Sequence, residues 1–430
     1  MSAPDGPPRV AFFGLLGSGN IGNQGSLDAM LAYVRDRHPE AVISCICSGP
    51  AELERQYRIP AVPITWYQQH GPGRSRVTTI VRKSFGKFAD AVRMRFVVRQ
   101  YDMIIVPGMG VFETTLDLRP WGWPYALFLM ALWARLSGVR TAFVNVGANV
   151  PSERSMRWLF AATARLATYR SFRDEYSRNA LRVMGVDTAH DDVGPDLAFA
   201  LPEPRRSVQS SAESSVAARR TVGLGVMTYR GSSADRARAD EIYTTYTAKI
   251  VEFARWLVDE GYRIRLVTGD PSDTEVVEAV YADLRQTRPN LVEVRLVHEP
   301  ADTLEELMDQ LTQVDVVVAS RYHNVVAALK LAKPTVSISY GVKSDLLMEQ
   351  MQLAEFRQPI QGLDVDRLID QFRALESRAV SVAPVLRDRT AEFAAALDKQ
   401  YDVLSEVLFG SGRGHRAADG NSATADRQGE

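Results

Sequence analysis

The chain alternates between short apolar runs and longer stretches in which apolar residues recur at helical spacing. In the first half, the runs of strand length are RVAFFGLL, AVISCIC, YDMIIVPG and RTAFVNVGA. Helical spacing is found at 25–37, 123–137 and 153–168. Continuously apolar strands that alternate with helices are typical of parallel sheets covered on both faces. The pattern therefore predicts an α/β fold.

A second series of the same kind follows a polar stretch. Residues 202–220 are rich in Pro, Ser and Arg and lack a hydrophobic period, so we predict an interdomain linker there. Beyond it come the apolar runs TVGLGVMTY, RIRLVTGD, LVEVRLV, VDVVVAS and PTVSISYG, with helices predicted around 241–259, 273–286 and 303–312 and after Arg321. We expect two doubly wound Rossmann-like domains, 9–201 and 221–408, that face each other across a cleft. The ends, 1–8 and 409–430, are predicted to be disordered.

The composition is that of an ordinary globular protein. Hydrophobic residues make up 46% of the chain, and the net charge of −1 gives no sign of a polyanionic partner, so we expect no nucleic-acid ligand. The polar start MSAPDGPPRV lacks the apolar core of a signal peptide, and the apolar stretch from Tyr125 is too short to span a bilayer. Cys45 and Cys47, in one predicted strand, favour buried reduced thiols. These observations predict a cytoplasmic protein.

A glycine-rich turn follows the first predicted strand. Residues 17–22, GSGNIG, have the G-x-G-x-x-G spacing of a dinucleotide loop. Such a site adds an acidic residue at the end of the second strand, which here ends CICSGP without one, so NAD binding is disfavoured. The amides of Asn20, Asn23 and Gln24 suit sugar hydroxyls or phosphate oxygens. A tight strand-to-helix turn without a ligand is the open alternative.

Positively charged residues follow two consecutive predicted strands. Arg321, Tyr322 and His323 come at the end of VDVVVAS, and Lys343 comes just after PTVSISYG. The carboxyl ends of parallel strands meet at one edge of a sheet, where helix N-termini also favour anions. Arginine and lysine bind phosphate or carboxylate, and histidine transfers protons near neutral pH. We predict an anion site with an acid–base histidine; surface ion pairs and a helix-capping His323 are the alternative.

This block resembles the polysaccharide pyruvyl transferase family. The stretches that carry the resemblance, scattered from about residue 10 to 355, are ASRYHNVVAALKLAKPTVSISYGVKSD, SFRDEYSRNAL, VGPDLAF and GNIGNQGSLDAML. The resemblance implies a two-domain fold like that of the GT-B glycosyltransferases. It also implies transfer of the enolpyruvyl group of phosphoenolpyruvate, a co-substrate, onto a sugar, with release of phosphate and formation of a pyruvate ketal. Asn23 stands where the family often has an acidic residue.

The resemblance further implies a set of site residues. His323 would be the acid–base group, and donor binding would fall to Arg321, Tyr322, Lys343 and Arg173. We expect the acceptor, a saccharide or glycolipid of the cell envelope, on the first domain, at Asn20, Asn23, Gln24, Gly110 and Glu113. No metal and no cofactor is implied.

Two other functions remain open. A GT-B glycosyltransferase with a nucleotide-sugar donor would share the fold and would need a carboxylate for the ribose, which TGDPSD at 268–273 offers. A carbohydrate-binding protein without catalysis would have no need of His323.

Residues 74–99 predict a basic amphipathic helix. Apolar positions recur at helical spacing, at Val77, Ile80, Val81, Phe85, Phe88, Val92 and Phe96, and eight Arg or Lys accompany one Asp. Such a helix can pack on the core with a solvated cationic face. It can also lie on an anionic membrane that carries a lipid-linked glycan, which would make the protein peripheral at the inner face of the cell membrane.

Overall fold

The structure is a computed structural model that describes residues 6–66, 76–114, 119–204 and 220–410. Side chains are described in these ranges except at 76–84, 233 and 234. Most of the predicted disordered ends and of the predicted linker lies outside the described residues, as do the first two residues of the predicted basic helix.

Seven parallel strands of the described chain form the first sheet. They are β1 (Arg9–Gly14), β2 (Val42–Cys47), β3 (Ala61–Pro63), β4 (Met103–Pro107), β5 (Arg140–Val146), β6 (Tyr169–Phe172) and β7 (Asp192–Val193). Their order is β3-β2-β1-β4-β5-β6-β7. β1 and β4 are buried almost completely, which explains why their sequences are continuously apolar.

Helices connect these strands. They are α1 (Ile21–Arg37), α2 (Pro50–Tyr57), α3 (Arg76–Val98), α4 (Trp123–Ser137), α5 (Arg154–Leu166) and α6 (Glu175–Val183). Asn20 caps α1, since its Oδ1 accepts hydrogen bonds from the backbone amides of Gly22 and Asn23. The first sheet thus has the strand–helix alternation that the sequence predicts.

The second sheet contains six parallel strands within residues 220–410. They are β8 (Thr221–Gly225), β9 (Arg263–Val267), β10 (Leu296–His298), β11 (Val316–Ala319), β12 (Thr335–Ser339) and β13 (Arg357–Pro359), in the order β10-β9-β8-β11-β12-β13. In both sheets the order reverses beside the first strand, which is the doubly wound arrangement. The predicted α/β class with two Rossmann-like domains is confirmed.

The helices of the second half complete the fold. They are α7 (Ala239–Asp259), α8 (Thr274–Thr287), α9 (Pro289–Arg295), α10 (Leu304–Thr312), α11 (Tyr322–Lys330), α12 (Val342–Gln350), α13 (Val365–Ser377) and α14 (Ala379–Phe409). The run LVEVRLV, predicted to be a strand, is helical up to Arg295 and extended only from Leu296. Pro289 occupies the first turn of α9, a position that favours helix initiation.

The long helix α14 returns to the first domain. The amide of Gln400 donates to Asn145 Oδ1 at 2.7 Å and to the Tyr169 hydroxyl at 3.1 Å, both in the first sheet. The ring of Tyr401 stacks on Tyr33 with centroids 4.5 Å apart. Since α14 follows the second sheet in sequence, it fastens the two domains together.

Within the ranges that the structure describes, no helix has both the length and the apolar character that crossing a bilayer requires.

Candidate functional site

A cavity of about 480 Å³ lies between the two domains, at the carboxyl ends of their strands. Among the described residues that line it, the cationic side chains are Arg173, Arg230, Arg321 and Lys343, and the one carboxylate is Glu113. Asn20, Asn23, Gly110, Trp123, Tyr322 and His323 also line it. The cavity therefore brings together residues of both domains in a predominantly cationic pocket.

Arg173 and Lys343 form a cationic cluster around the ring of Tyr322. Tyr322 is the first residue of α11, and its ring is 5% exposed. The guanidinium carbon of Arg173 and the Lys343 ammonium each lie 5.2 Å from the ring centroid, a distance typical of cation–π contacts. Arg173 follows β6 and Lys343 lies in the first turn of α12, so the cluster joins strand ends of both sheets.

Glu113 connects the two cations. One carboxylate oxygen accepts from Arg173 Nη2, and the other lies 3.5 Å from Lys343 Nζ. Burial alone would raise the pKa of Glu113, but the charges of Arg173 and Lys343 outweigh it and hold the pKa below its ordinary value. Since Glu113 comes from the first domain and Lys343 from the second, this carboxylate is an ionic link across the cleft.

His323 packs against the first helix. A Cβ atom added at Gly22 would overlap the imidazole, so the glycine of the GNIG turn makes room for this side chain. His323 Nε2 lies 4.0 Å from Asp196 Oδ2. Burial lowers the pKa of His323 to about 4; Asp196 opposes the shift, while Lys343 and Arg173 add to it. The ring is therefore neutral at pH 7 in this arrangement.

Arg321 has a strong partner of its own. Its Nε and Nη2 donate to the two carboxylate oxygens of Asp273 at 2.9 and 2.6 Å. Asp273 is fully buried and also accepts from the Thr228 amide. Nη1 donates to no described residue, and Arg321 lines the cavity. One edge of the guanidinium is thus anchored, and one nitrogen remains for a ligand.

The residues predicted to bind the acceptor divide into two groups. Asn20 and Asn23 line the cavity, although Asn20 Oδ1 caps α1 and Asn23 Nδ2 donates to the Leu15 carbonyl at 3.2 Å. Gly110 and Glu113 line it as well. Gln24 is not among the lining residues: it is buried, and its amide donates to the Tyr57 hydroxyl at 2.9 Å.

Sequence reasoning missed several contributors. The segment after β8 supplies Thr228, Tyr229 and Arg230 to the cavity wall. Its place beyond the first strand of the second domain was a usable signal, because ligands bind at strand ends. Asp196 faces His323 from the VGPDLAF stretch, to which the sequence alone gave no role.

A smaller cavity of about 200 Å³ adjoins the cluster and shares Glu113, Arg173, Tyr340 and Lys343 with the larger one. In the described parts of the chain, no three His, Cys, Asp or Glu side chains converge as metal ligands do. The site combines a cationic pocket with an imidazole. This combination suits the binding of a small polyanion and the transfer of a proton to or from it.

Solved structures similar to this chain extend over nearly its whole length. A putative UDP-N-acetylglucosamine 2-epimerase from Listeria monocytogenes matches with a TM-score of 0.60 and 13% identity, over 94% of this chain and 98% of its own. Anabaena HepE in complex with UDP matches with a TM-score of 0.57 and 15% identity, over 94% and 99%. UDP-GlcNAc 2-epimerase from Neisseria meningitidis, bound to UDP-GlcNAc, gives 0.56 and 10%, over 94% and 99%. At these identities the likeness shows the fold alone, which is GT-B-like.

A search of curated protein sequences finds no significant match. The family model described as polysaccharide pyruvyl transferase, in contrast, matches residues 20–342. This range is more than half of the chain, begins at the cap of α1 and contains Glu113, Arg173, Tyr322 and His323. The chain belongs to the polysaccharide pyruvyl transferase family.

Proposed function

We propose that this protein transfers the enolpyruvyl group of phosphoenolpyruvate to hydroxyls of a sugar in a glycan or glycolipid, forming a pyruvate ketal and releasing phosphate. The observation that carries the proposal is the packing of Arg173 and Lys343 around Tyr322, next to His323, in the interdomain cavity of a member of this family. Cations suit the donor's charge, and the imidazole suits a reaction that needs a proton.

The charge of the cavity fits the donor. Phosphoenolpyruvate carries up to three negative charges, so its site needs several cations. Glu113 forms ion pairs with both Arg173 and Lys343 in the structure. A bound phosphate or carboxylate would compete with Glu113 for these two cations. Arg321 can add the nitrogen that Asp273 does not use. We expect the phosphate or the carboxylate of the donor to lie between these groups.

Binding of the donor also favours protonation of His323. Burial and two neighbouring cations keep the imidazole neutral, so it is a poor acid on its own. An anion bound at Arg173 and Lys343 cancels their field and favours the protonated ring. His323 therefore becomes an acid only once the donor is in place, which protects the cluster from carrying a third positive charge beforehand.

The reaction then proceeds through protonation of the donor, addition of a sugar hydroxyl, loss of phosphate and closure of the ketal. His323 donates a proton to the methylene carbon, and C2 becomes an oxocarbenium-like centre. A sugar hydroxyl adds to C2 and returns its proton to His323. The bond between C2 and the phosphate oxygen breaks, and phosphate leaves with the electron pair, stabilised by Arg173 and Lys343. A neighbouring hydroxyl closes the ketal, and its proton passes to phosphate.

The first domain is the natural wall for the acceptor. Asn20, Asn23 and Gly110 line the cavity there, together with Trp123. Trp123 is 8% exposed, stacks on Phe13, and donates from Nε1 to the Val111 carbonyl, so its ring is held firmly. A fixed aromatic surface beside amide groups suits a sugar ring, which has apolar faces and polar edges.

Thermal unfolding with phosphoenolpyruvate tests the donor. The ligand at about 100 times its Kd should stabilise the protein by about 2.7 kcal/mol, whereas inorganic phosphate, UDP-glucose and GDP-mannose should give smaller shifts. The shift should disappear in Lys343→Gln and persist in Lys399→Gln, a control at an exposed lysine of α14. A shift with UDP-glucose and none with phosphoenolpyruvate would overturn the proposal in favour of a nucleotide-sugar donor.

Product analysis tests the transfer. Phosphate release from phosphoenolpyruvate is followed with a panel of p-nitrophenyl glycosides, and mass spectrometry identifies a glycoside that has gained a carboxyethylidene group. His323→Gln should bind phosphoenolpyruvate but release phosphate at least about 100-fold more slowly, which is the size of effect expected for a lost acid–base group. Wild-type rates in this variant would exclude the proton-transfer role.

A further inference from the structure

The helix α3 carries an exposed apolar stripe. Phe85, Phe88, Val92 and Phe96 are spaced by three, four and four residues, which places them on one face of the helix. Their exposed fractions are 58%, 70%, 44% and 60%. The opposite side of α3 is the packed one, where Met94 and Val98 are almost fully buried. The stripe is therefore separate from the face that joins the core.

Cationic side chains flank the stripe. Arg95 and Arg99 are exposed, and the Arg95 guanidinium lies 5.5 Å from the ring centroid of Trp133. Arg93 belongs to the inner side, since its Nη2 donates to the Pro63 carbonyl at 2.6 Å. Asp90 is buried and accepts from the Trp66 amide. The exposed charge on this part of α3 is thus positive.

α3 also contacts α4, whose first residue lines the cavity. The Lys87 ammonium lies 5.9 Å from the ring centroid of Tyr125, and the exposed ring of Trp121 packs edge-on against the same tyrosine. Two residues beyond Trp121, Trp123 lines the cavity wall. Tryptophan and tyrosine are enriched where a protein meets the headgroup region of a bilayer. α3 is therefore connected through α4 to the wall of the cavity.

We propose that α3 docks on an anionic lipid surface, with Phe85, Phe88 and Phe96 among the acyl chains and Arg95 and Arg99 at the headgroups. Charge complementarity selects this occupant: an apolar stripe with a basic border matches a bilayer rich in anionic lipid. A second copy of the chain, docked symmetrically, would bring like charges together. Because α4 connects α3 to the cavity wall, we expect the docking to bring the cavity near a lipid-linked glycan, an expectation that rests on the proposed function.

Vesicle cosedimentation tests the docking. The purified protein should bind vesicles of phosphatidylglycerol and phosphatidylcholine, and bind pure phosphatidylcholine at least about tenfold more weakly. Phe88→Asp combined with Phe96→Asp should reduce binding to anionic vesicles at least about tenfold. The control pair, Val294→Asp with Val380→Asp, changes exposed apolar residues of the second half and should bind normally.

The charge arm uses matched arginines. Arg95→Glu with Arg99→Glu should weaken vesicle binding, while Arg367→Glu with Arg387→Glu, at exposed positions outside α3, should leave it unchanged. The proposal is overturned if the α3 double variant and its control double variant bind anionic vesicles equally well, in either the charge or the apolar comparison. Self-association in sedimentation velocity that Phe88→Asp abolishes, with no vesicle binding, also overturns it.

One further measurement separates this inference from the proposed function. The thermal shift with phosphoenolpyruvate should be the same in the Phe88→Asp, Phe96→Asp protein as in the wild type. A protein that binds the donor but no vesicle refutes the docking alone. A protein that binds vesicles but not the donor refutes the proposed function alone.

Discussion

Replacing Glu113 by glutamine removes a carboxylate charge that two cations share: Arg173, which is buried, and Lys343, whose side chain is 19% exposed. At the 3.5 Å separation from Lys343 and an effective dielectric constant of 20, the lost attraction is about 5 kcal/mol for that pair alone. Glutamine keeps one acceptor oxygen, and breaking a buried ion pair costs about 3–5 kcal/mol in practice. At about 2 °C per kcal/mol, Glu113→Gln should lower the melting temperature by roughly 6–10 °C.

The same substitution should strengthen donor binding. With Glu113 neutral, Lys343 and Arg173 have lost the counter-ion that they share, although Arg173 keeps Asp174 at 3.6 Å, and a bound polyanion can take the place of Glu113. The increase in melting temperature caused by a fixed concentration of phosphoenolpyruvate should therefore be larger in Glu113→Gln than in the wild type. Calorimetric titration in a buffer without phosphate should report an affinity at least about tenfold higher, since about 1.4 kcal/mol of relieved competition suffices for that.

A second ion pair provides the control. Asp191 pairs with Arg170 at 2.8 Å and is similarly buried, but it is not among the residues that line either cavity beside the cluster. Asp191→Asn should therefore destabilise the protein without any gain in donor-induced stabilisation. An equal or smaller ligand shift in Glu113→Gln than in the wild type would refute the view that Glu113 and the donor compete for the same cations.

Three further predictions concern α1 and α11. His323→Asn should reduce the loss of stability on acidification. The pKa of His323 is about 4 in the folded protein and 6.5 in the unfolded chain, so the unfolded chain binds the proton first as the pH falls. The free energy of unfolding of the wild type should therefore fall by about 3 kcal/mol between these two pH values. Urea unfolding at pH 7 and pH 4.5 measures this, and an unchanged difference between the two pH values contradicts it. Gly22→Ala should displace His323 and lower the rate of phosphate release at least about tenfold. The control Gly86→Ala, whose added methyl meets no atom closer than 3.4 Å, should release phosphate at the wild-type rate. Equal rates in the two variants would show that His323 tolerates the methyl at Gly22. Tyr322→Phe should keep donor affinity, because phenylalanine retains the ring face, and Tyr322→Leu should lose at least about threefold by titration; identical affinities would exclude the cation–π contribution.

Much of the fold could be predicted because buried parallel strands have continuously apolar sequences. The runs VDVVVAS and PTVSISYG contain β11 and β12, and their ends carry Arg321, His323 and Lys343 to one side of the second sheet. The strand predicted for LVEVRLV is wrong up to Arg295, because an alternating pattern of five residues fits a short helix equally well when proline begins it. The local pattern therefore predicts the position of an element more securely than it predicts whether a short element is a helix or a strand.

The pairing of charges across the cleft could not be predicted. Glu113 and Arg173 are 60 positions apart, and Lys343 comes from the other domain. Nothing in the local sequence indicates that one carboxylate serves both cations, because their meeting depends on how the domains dock. The stretch TGDPSD at 268–273 likewise offers a carboxylate for the ribose of a nucleotide sugar, but both oxygens of one of its two aspartates, Asp273, accept from Arg321.

The glycine turn has a physical explanation that its sequence alone did not provide. Gly22 is required where α1 approaches the imidazole of the other domain, and Gly25, one turn later, faces Leu304 of α10 in the same way. A spacing that resembles a dinucleotide loop is here compatible with close contact between two domains.

The return of α14 to the first sheet has a consequence for the order of events during synthesis. Asn145 and Tyr169 lie in strands that leave the ribosome early, but Gln400 follows the whole second domain. Until that segment emerges, Asn145 Oδ1 and the Tyr169 hydroxyl have only their partners within the first domain, Ser171 and Asp192. Domains generally fold as units from the N-terminus during translation. Here the first domain reaches its final hydrogen bonding only after the second has been made, so cotranslational maturation of the two halves is coupled.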